Sequence, residues 1–461
     1  MRSPSEFTGG APLAPMPRDP ADALAPYDPA AGHGPWDARL AAHLLRRALG
    51  GPRPGEATVL AKQAPSQAVN SLFSARDASR ERMWADSGAA LAAGGDRRRL
   101  AAWWLMKLAQ EDRAPGTRLA LFWHDHFACA QSTVADVGFL MRQHQTFVVE
   151  GEGPFLALLL AVARDPAMLR FLDGDSNRRG LPNENLAREI LELFTLGVGR
   201  YSEQDVREAA RALTGRTVRG RDYRFVAEHH DPAPKTLLGT EIADGDDVCR
   251  AAAAQPACAR FLAGKMWRFY VSPEPPAEAL HLLAERWRER DLDVAWLART
   301  LCASRAFYSA EAYRSLVKSP VDLVVGTVRA LGAKPDFEAC ARACGEMGQE
   351  LFEPPGVQGW AEGEAWIHSA AWIARTNFAA RVADGAESFT RGAPLAALFP
   401  PAHRADAGAT LADLAAALLG GDLPGERAAA LQSALADPSS GAAGFRAATH
   451  AVLCSPEYHL S

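Results

Sequence analysis

The sequence predicts a mainly α, multi-helical globular protein with one short β-hairpin or extended excursion near residues 217–239. Three observations carry this. Apolar residues recur at spacings of three and four through most of the 461 residues, the period of helices that bury one face. Gly and Pro punctuate those runs where helices stop. Only around Tyr223, Phe225 and Ala227 does the pattern change, with Arg224 and Val226 between them as in an extended segment. With 48% hydrophobic and 23% charged residues, the chain can bury a large core, and wholesale disorder is excluded.

Eight of the 31 prolines fall within the first 35 residues. Proline donates no backbone hydrogen bond, so residues 1–34 are expected to form a Pro-rich arm, flexible or draped. Trp36, Leu40, Leu44, Leu45 and Ala48 then make a helical stripe that Gly50-Gly51 ends. Helices are expected over 97–110 and 117–130, split by Ala114-Pro115-Gly116. Residues 154–172 predict one or two apolar helices with a break near Asp165-Pro166. Pro182 to Gly197 reads as a helix whose core face is Leu186, Ile190, Leu193 and Phe194. Ser202 with Asp205 three residues on is a capping box that opens the next helix. After the extended excursion, helical patterning fills 248–385, interrupted by the loop Glu353 to Trp360, and Ala-rich helices occupy 390–461. Residues 35–461 are therefore expected to form a single large helical unit. It could divide into a motif-bearing lobe over 35–240 and a second helical lobe over 241–461.

The charge and the ends narrow the function. A formal net charge of −5 gives no global basic field, so no nucleic-acid partner is expected. The longest apolar run, Phe155–Ala163, is nine residues, and a bilayer span needs about 20. The N-terminus lacks an apolar stretch of signal-peptide length, which predicts a cytoplasmic protein. The seven cysteines form no C-x-x-C pair. They suit a reducing compartment, with Cys340 and Cys344 as core thiols. Phosphate-binding, dinucleotide-binding, nucleophile-elbow and zincin motifs are absent.

Three polar clusters could carry chemistry. On the 182–197 helix, Glu184, Arg188 and Glu192 form a four-spaced row, and Glu189 lies three residues from Glu192. These groups suit acid/base work or a metal, and a solvated ion-paired face is the plain alternative. His124 and His126 are two apart, so on a helix they point to opposite sides; His126 faces inward, and His124 and Asp125 face outward or along a groove. His126 is either a hydrogen-bonded core residue or a base. The third cluster is His229-His230-Asp231 with Lys235, where a carboxylate raises imidazole basicity and the amine can pair with an anion, and a turn cap is the plain alternative. Five arginines (211, 216, 219, 221 and 224) precede it.

At these residues the chain resembles a bacterial family, the domain-of-unknown-function family 1800. The matching blocks are His43 to Ala48, Phe122 to Phe127, Asn183 to Gly197, Tyr201 to Asp205, Ala212 to Gly215, and His230-Asp231-Pro232 with Lys235 and Leu238-Gly239. Met347-Gly348-Gln349, Phe352 to Pro355, Gly359-Trp360 and Ser455 to Tyr458 complete the pattern. The resemblance implies a helical protein that gathers these motifs in one site, and it supplies no established reaction. Related chains often look exported, and they are commonly encoded beside an uncharacterised family that resembles sulfatases and alkaline phosphatases. This chain departs in lacking an evident export signal. It also departs in carrying Ala233 and Pro234 where a glycine and a polar residue are usual.

The expected function is an enzyme, hydrolytic or group-transferring and acting on a polar or anionic substrate such as a glycan or a phospho- or sulfo-ester. Glu189 or Glu192 is the expected base, His126 or His230 the proton shuttle, and Arg188 with Lys235 the anion clamp. A variant places a divalent metal among His126, Glu189, Glu192, His230 and Asp231. The alternative is a helical binding or scaffold protein in which the same residues form an ion-pair network. Trp360, Trp366 and Trp372 then offer a surface to a glycan or a protein partner.

Overall fold

The computed structural model describes residues 12–74, 77–111, 116–391, 407–421, 423, 425–435 and 441–461. Among the described residues, helices dominate and the sheet content is two small antiparallel hairpins. Local chemistry sets the helix ends. Asp37 accepts a hydrogen bond from the Leu40 amide to open helix Ala38–Leu49, and Gly50 closes it in the left-handed conformation at φ 83°. Ser202 and Asp205 form the expected capping box before Glu203–Ala212. The apolar stretch after Gly153 divides at Asp165, giving Phe155–Val162 and Pro166–Phe171.

Two expected helices end differently. The 117–130 stripe stops at His126, and Gln131–Val134 forms a separate short turn of helix. The 182–197 segment is an α-helix only over Asn185–Leu191; Glu192–Leu196 widens into a π-turn closed by Gly197 at φ 82°. Thr195 donates its hydroxyl to the Ile190 carbonyl there, at 2.5 Å.

The extended excursion is a pair of hairpins. β1 (Arg216–Arg219) pairs with β2 (Asp222–Phe225) in the register Arg216 to Phe225. β3 (Lys235–Leu237) pairs with β4 (Thr240–Ile242) across Leu238 and Gly239, both at positive φ. Asp205 stabilises that second turn by accepting from the Leu238 amide at 2.8 Å.

Residues 12–34 of the expected Pro-rich arm are draped on the core. Ala23, Leu24 and Tyr27 are buried, and the Tyr27 amide donates to the Ala303 carbonyl while Ala310 donates to Ala14. Residues 1–11 lie outside the described residues. Helices from both halves of the chain pack together: Arg97–Gln110 lies against Pro320–Leu331 and Phe337–Glu346. Cys340 and Cys344 are buried thiols on one helix face. Among the described residues, no helix is long and apolar enough to cross a membrane.

Candidate functional site

The three polar clusters each find partners close to home. Arg188 makes a bidentate contact with Glu203 at 2.8 and 2.9 Å and a further one with Glu184 at 3.2 Å. Glu192 accepts from the Tyr201 hydroxyl. Glu189 is half-buried, and burial raises its carboxyl pKa, with the Glu192 charge adding to the effect. Asp231 accepts from Arg211 at 2.8 Å, which holds its pKa low. His230 Nδ1 lies 2.9 Å from the Thr214 carbonyl. Lys235 is buried, and its amine donates to the Ala233 and Ala243 carbonyls at 3.0 and 2.9 Å, clasping the second hairpin.

His126 Nε2 lies 3.2 Å from the Phe194 carbonyl and its Nδ1 lies 3.1 Å from Lys265 Nζ. The lysine can only donate, so Nδ1 accepts and Nε2–H donates to Phe194. Burial, and then the Lys265 charge, keep this imidazole neutral by pushing its pKa well down.

The expected anion clamp is thus occupied, Arg188 by carboxylates and Lys235 by backbone oxygens. The expected metal set also does not gather. Among the described residues, no three His, Cys, Asp or Glu side chains stand together to hold an ion. His126, Glu192, and His230 with Asp231 instead belong to three separate sets of hydrogen bonds, and Glu189 is in none of them.

A different group opens on a cavity. Helix Gly116–His126 crosses the interior, so the side expected to face outward is covered as well. His124 is buried with Nε2 accepting from the Phe352 amide at 3.0 Å, and its ring packs edge-on to Trp104. Asp125 accepts from the Trp360 amide at 2.8 Å. Gly359, at φ 78°, is what lets that loop press so close, because a Cβ there would run into the Asp125 backbone and carboxylate oxygens.

Arg118, Leu121, Phe122 and Asp125 recur at helical spacing and form one wall of a cavity of about 750 Å³. Arg268 and Phe269, at the end of helix Pro256–Tyr270, form the second wall. Phe269 wedges between Phe122, with ring centres 5.2 Å apart, and Arg118, whose guanidinium lies 4.7 Å over the ring. The loop carrying Trp360, Glu362 and Trp366 closes the third side. Segment Glu311–Asp322 and Glu457 complete the enclosure.

Asp125 is the chemically distinctive group here. Burial raises its pKa from 3.8 to about 6, and the Glu362 charge adds to that. The Trp360 amide and the Lys265 charge work in the opposite direction. Lys265 is itself pushed down by burial, and it links Asp125 electrostatically to His126.

Sequence reasoning singled out His126, placed Asp125 outward or along a groove, quoted Glu457 only within a matching block and gave Lys265 and Glu362 no role. The available signal was polar identity inside apolar helices: Asp125 within Phe122–Phe127, and Lys265 among Leu262, Met266 and Trp267.

A family model described as a protein of unknown function (DUF1800) matches residues 43–460. No curated protein matches, and no solved structure matches.

Proposed function

We propose that this chain, which belongs to the DUF1800 family, is a hydrolytic or group-transfer enzyme that takes a polar substrate, a glycan in particular, into the cavity beside Asp125. One observation carries the reading: a carboxyl group with its pKa raised to about 6 opens on a cavity of about 750 Å³. That pKa lets Asp125 hold a proton near neutral pH and give it to a leaving-group oxygen, the work of a general acid. Glu362, a carboxylate on the loop that closes the third side of the cavity, would serve as its partner, the pairing of two carboxyl groups that glycoside hydrolysis uses. The Trp360 amide aims the Asp125 carboxylate, and Lys265 keeps its pKa from rising further. Phe122, Phe269, Trp360 and Trp366 offer aromatic faces that suit sugar rings.

The lining disfavours a phospho- or sulfo-ester. Among the described residues it carries Asp125, Glu311, Asp322, Glu362, Glu364 and Glu457 against Arg118, Arg268 and Arg314.

The test is a panel of oligosaccharides followed by mass spectrometry, with Asp125→Asn beside the unaltered protein. Cleavage or transfer is expected for at least one glycan, with the variant slower by about 10²–10⁴-fold. Equal rates in both proteins would remove Asp125 from the chemistry. The second reading, a binding protein with a structural ion-pair network, draws on the Glu184–Arg188–Glu203 pairing. It calls for glycan binding with no turnover, unchanged by Asp125→Asn.

A further inference from the structure

The loop on the third side of the cavity is tied to the protein at two posts and spans the gap between them. At the first post Trp360 is buried and its amide donates to the Asp125 carboxylate at 2.8 Å. At the second, Trp366 is buried and its carbonyl accepts from Arg375 Nε at 3.0 Å. Residues 361–365 between the posts are all exposed. Among the described residues, no hydrogen bond or ion pair joins them to any group outside the loop. Glu362, Gly363 and Glu364 of this span also line the cavity, and exposed residues that line a cavity stand at its mouth. Gly363, at φ 63° with open space where a Cβ would stand, gives the span a backbone pivot.

The two posts differ in kind. Arg375 is wholly buried and also donates to the Lys318 carbonyl at 2.7 Å. Burial pushes its guanidinium down only to about 10, so it stays charged through the neutral range and its hold on Trp366 is constant. The Asp125 post titrates. A hydrogen bond to an ionised carboxylate is about twice as strong as one to a neutral group, so a proton on Asp125 weakens the bond from Trp360. Burial lifts this carboxyl to about 6, which brings the change close to neutral pH.

The other charges around Asp125 do not reverse that change. From helix Pro256–Tyr270, Lys265 favours the ionised carboxylate, and Arg268, one turn further along the same helix and on the cavity wall, carries charge of the same sign. On the helix of Asp125 itself, Arg118 is held by Asp322, and burial keeps His124 and His126 neutral. Glu362 repels the ionised carboxylate. It is an exposed group screened by solvent and salt, whereas the 2.8 Å bond is direct, so the bond decides the balance.

We infer that residues 361–365 form a lid over the cavity, latched by the bond from the Trp360 amide to ionised Asp125 and loosened when Asp125 takes up a proton. The form of Asp125 that is ready to donate its proton is then the form that admits substrate. The inference rests on the cavity being the substrate site, and the latch itself is read without turnover.

Amide hydrogen exchange of the full chain at pH 5 and pH 8 tests it. Mass spectrometry with electron-transfer fragmentation resolves the Trp360 amide, and rates are corrected for intrinsic exchange and referred to the amides of helix Ser369–Ala383. Protection of the Trp360 amide is expected to be at least about fivefold higher at pH 8 than at pH 5. In Asp125→Asn it should be low at both pH values. Glu362→Gln, a change at an exposed position that leaves the latch in place, should keep the pH dependence, and it holds the test valid if Asp125→Asn does not fold. Equal protection at the two pH values overturns the inference, as does a pH dependence that persists in Asp125→Asn or vanishes in Glu362→Gln. Equal protection in a protein that cleaves glycans through Asp125 sinks this inference alone. A latch that responds to pH while no glycan is turned over sinks the enzyme reading alone.

Discussion

Asp125 has a carboxyl that burial makes reluctant to ionise, and this has a signature in stability as well as in chemistry. Its folded pKa, about 6, lies above the value of 3.8 for the free group, so the folded state holds the proton more tightly. Its contribution is therefore fully present below about pH 4 and is lost as pH rises through 6. Asp125→Asn keeps an oxygen for the Trp360 amide and removes the charge. Thermal unfolding is expected to show the variant more stable than the native protein by about 1–3 kcal/mol at pH 7.5, with no difference at pH 4. Lys265→Met removes a cation that lowers the Asp125 pKa, so the alkaline limb of any activity profile should move to higher pH; a limb that stays in place would separate Lys265 from the acid. Gly359→Ala puts a Cβ against Asp125 at a positive φ and should cost about 1–3 kcal/mol in denaturant unfolding. Spacing was enough to put His124 and His126 on opposite sides of one helix. It was silent on burial of both sides, because a helix through the interior and a helix on the surface share one angular rule while only the packing of Phe352 and the Trp360 loop tells them apart.

At the level of elements, the region from Asn183 to Asp205 shows what periodicity carries and what it hides. Leu186, Ile190 and Phe194 are buried as their spacing requires, and Ser202 caps its helix as its neighbour at Asp205 implies. The widening into a π-turn at Glu192–Leu196 left no mark in that pattern, since one extra residue in a turn hardly disturbs an apolar stripe of two turns. The carboxylate row on this helix is legible as polar, and its partners are not. Glu203, which takes Arg188, belongs to the next helix and is reached only through the connection at Tyr201. Arg188 is about one-third exposed and fully paired. Arg188→Ala is accordingly expected to cost only about 0.5–1 kcal/mol in denaturant unfolding and to leave any glycan turnover within about twofold; a loss of several hundredfold would return this helix to the centre of the chemistry. The second hairpin depends on Lys235 in another way, with its amine holding two carbonyls that no other cation serves among the described residues.

Across the whole molecule, the helical class was readable because every helix must bury a stripe, and that constraint is written locally. The cavity was not, because its walls come from segments centred near residues 121, 268, 316, 363 and 459, and no spacing rule links positions so far apart. The blocks shared with the family gave the nearest hint, since Phe122–Phe127, Gln349, Gly359-Trp360 and Glu457 all border or line this one enclosure. The draped arm adds to the same point: its prolines announced an irregular path, while Tyr27 against Tyr308, with ring centres 4.8 Å apart, decides that the path is fixed. Tyr27→Ala should lower stability by about 3 kcal/mol in denaturant unfolding. The enzymatic reading of this enclosure turns on Asp125 retaining its proton near neutrality, which infrared difference spectra between the native protein and Asp125→Asn, recorded from pH 3 to 9, read directly. The expected result is a protonated carboxyl stretch that persists to about pH 6 before giving way to carboxylate. A carboxyl that ionises near pH 4, as a free aspartate does, would contradict it.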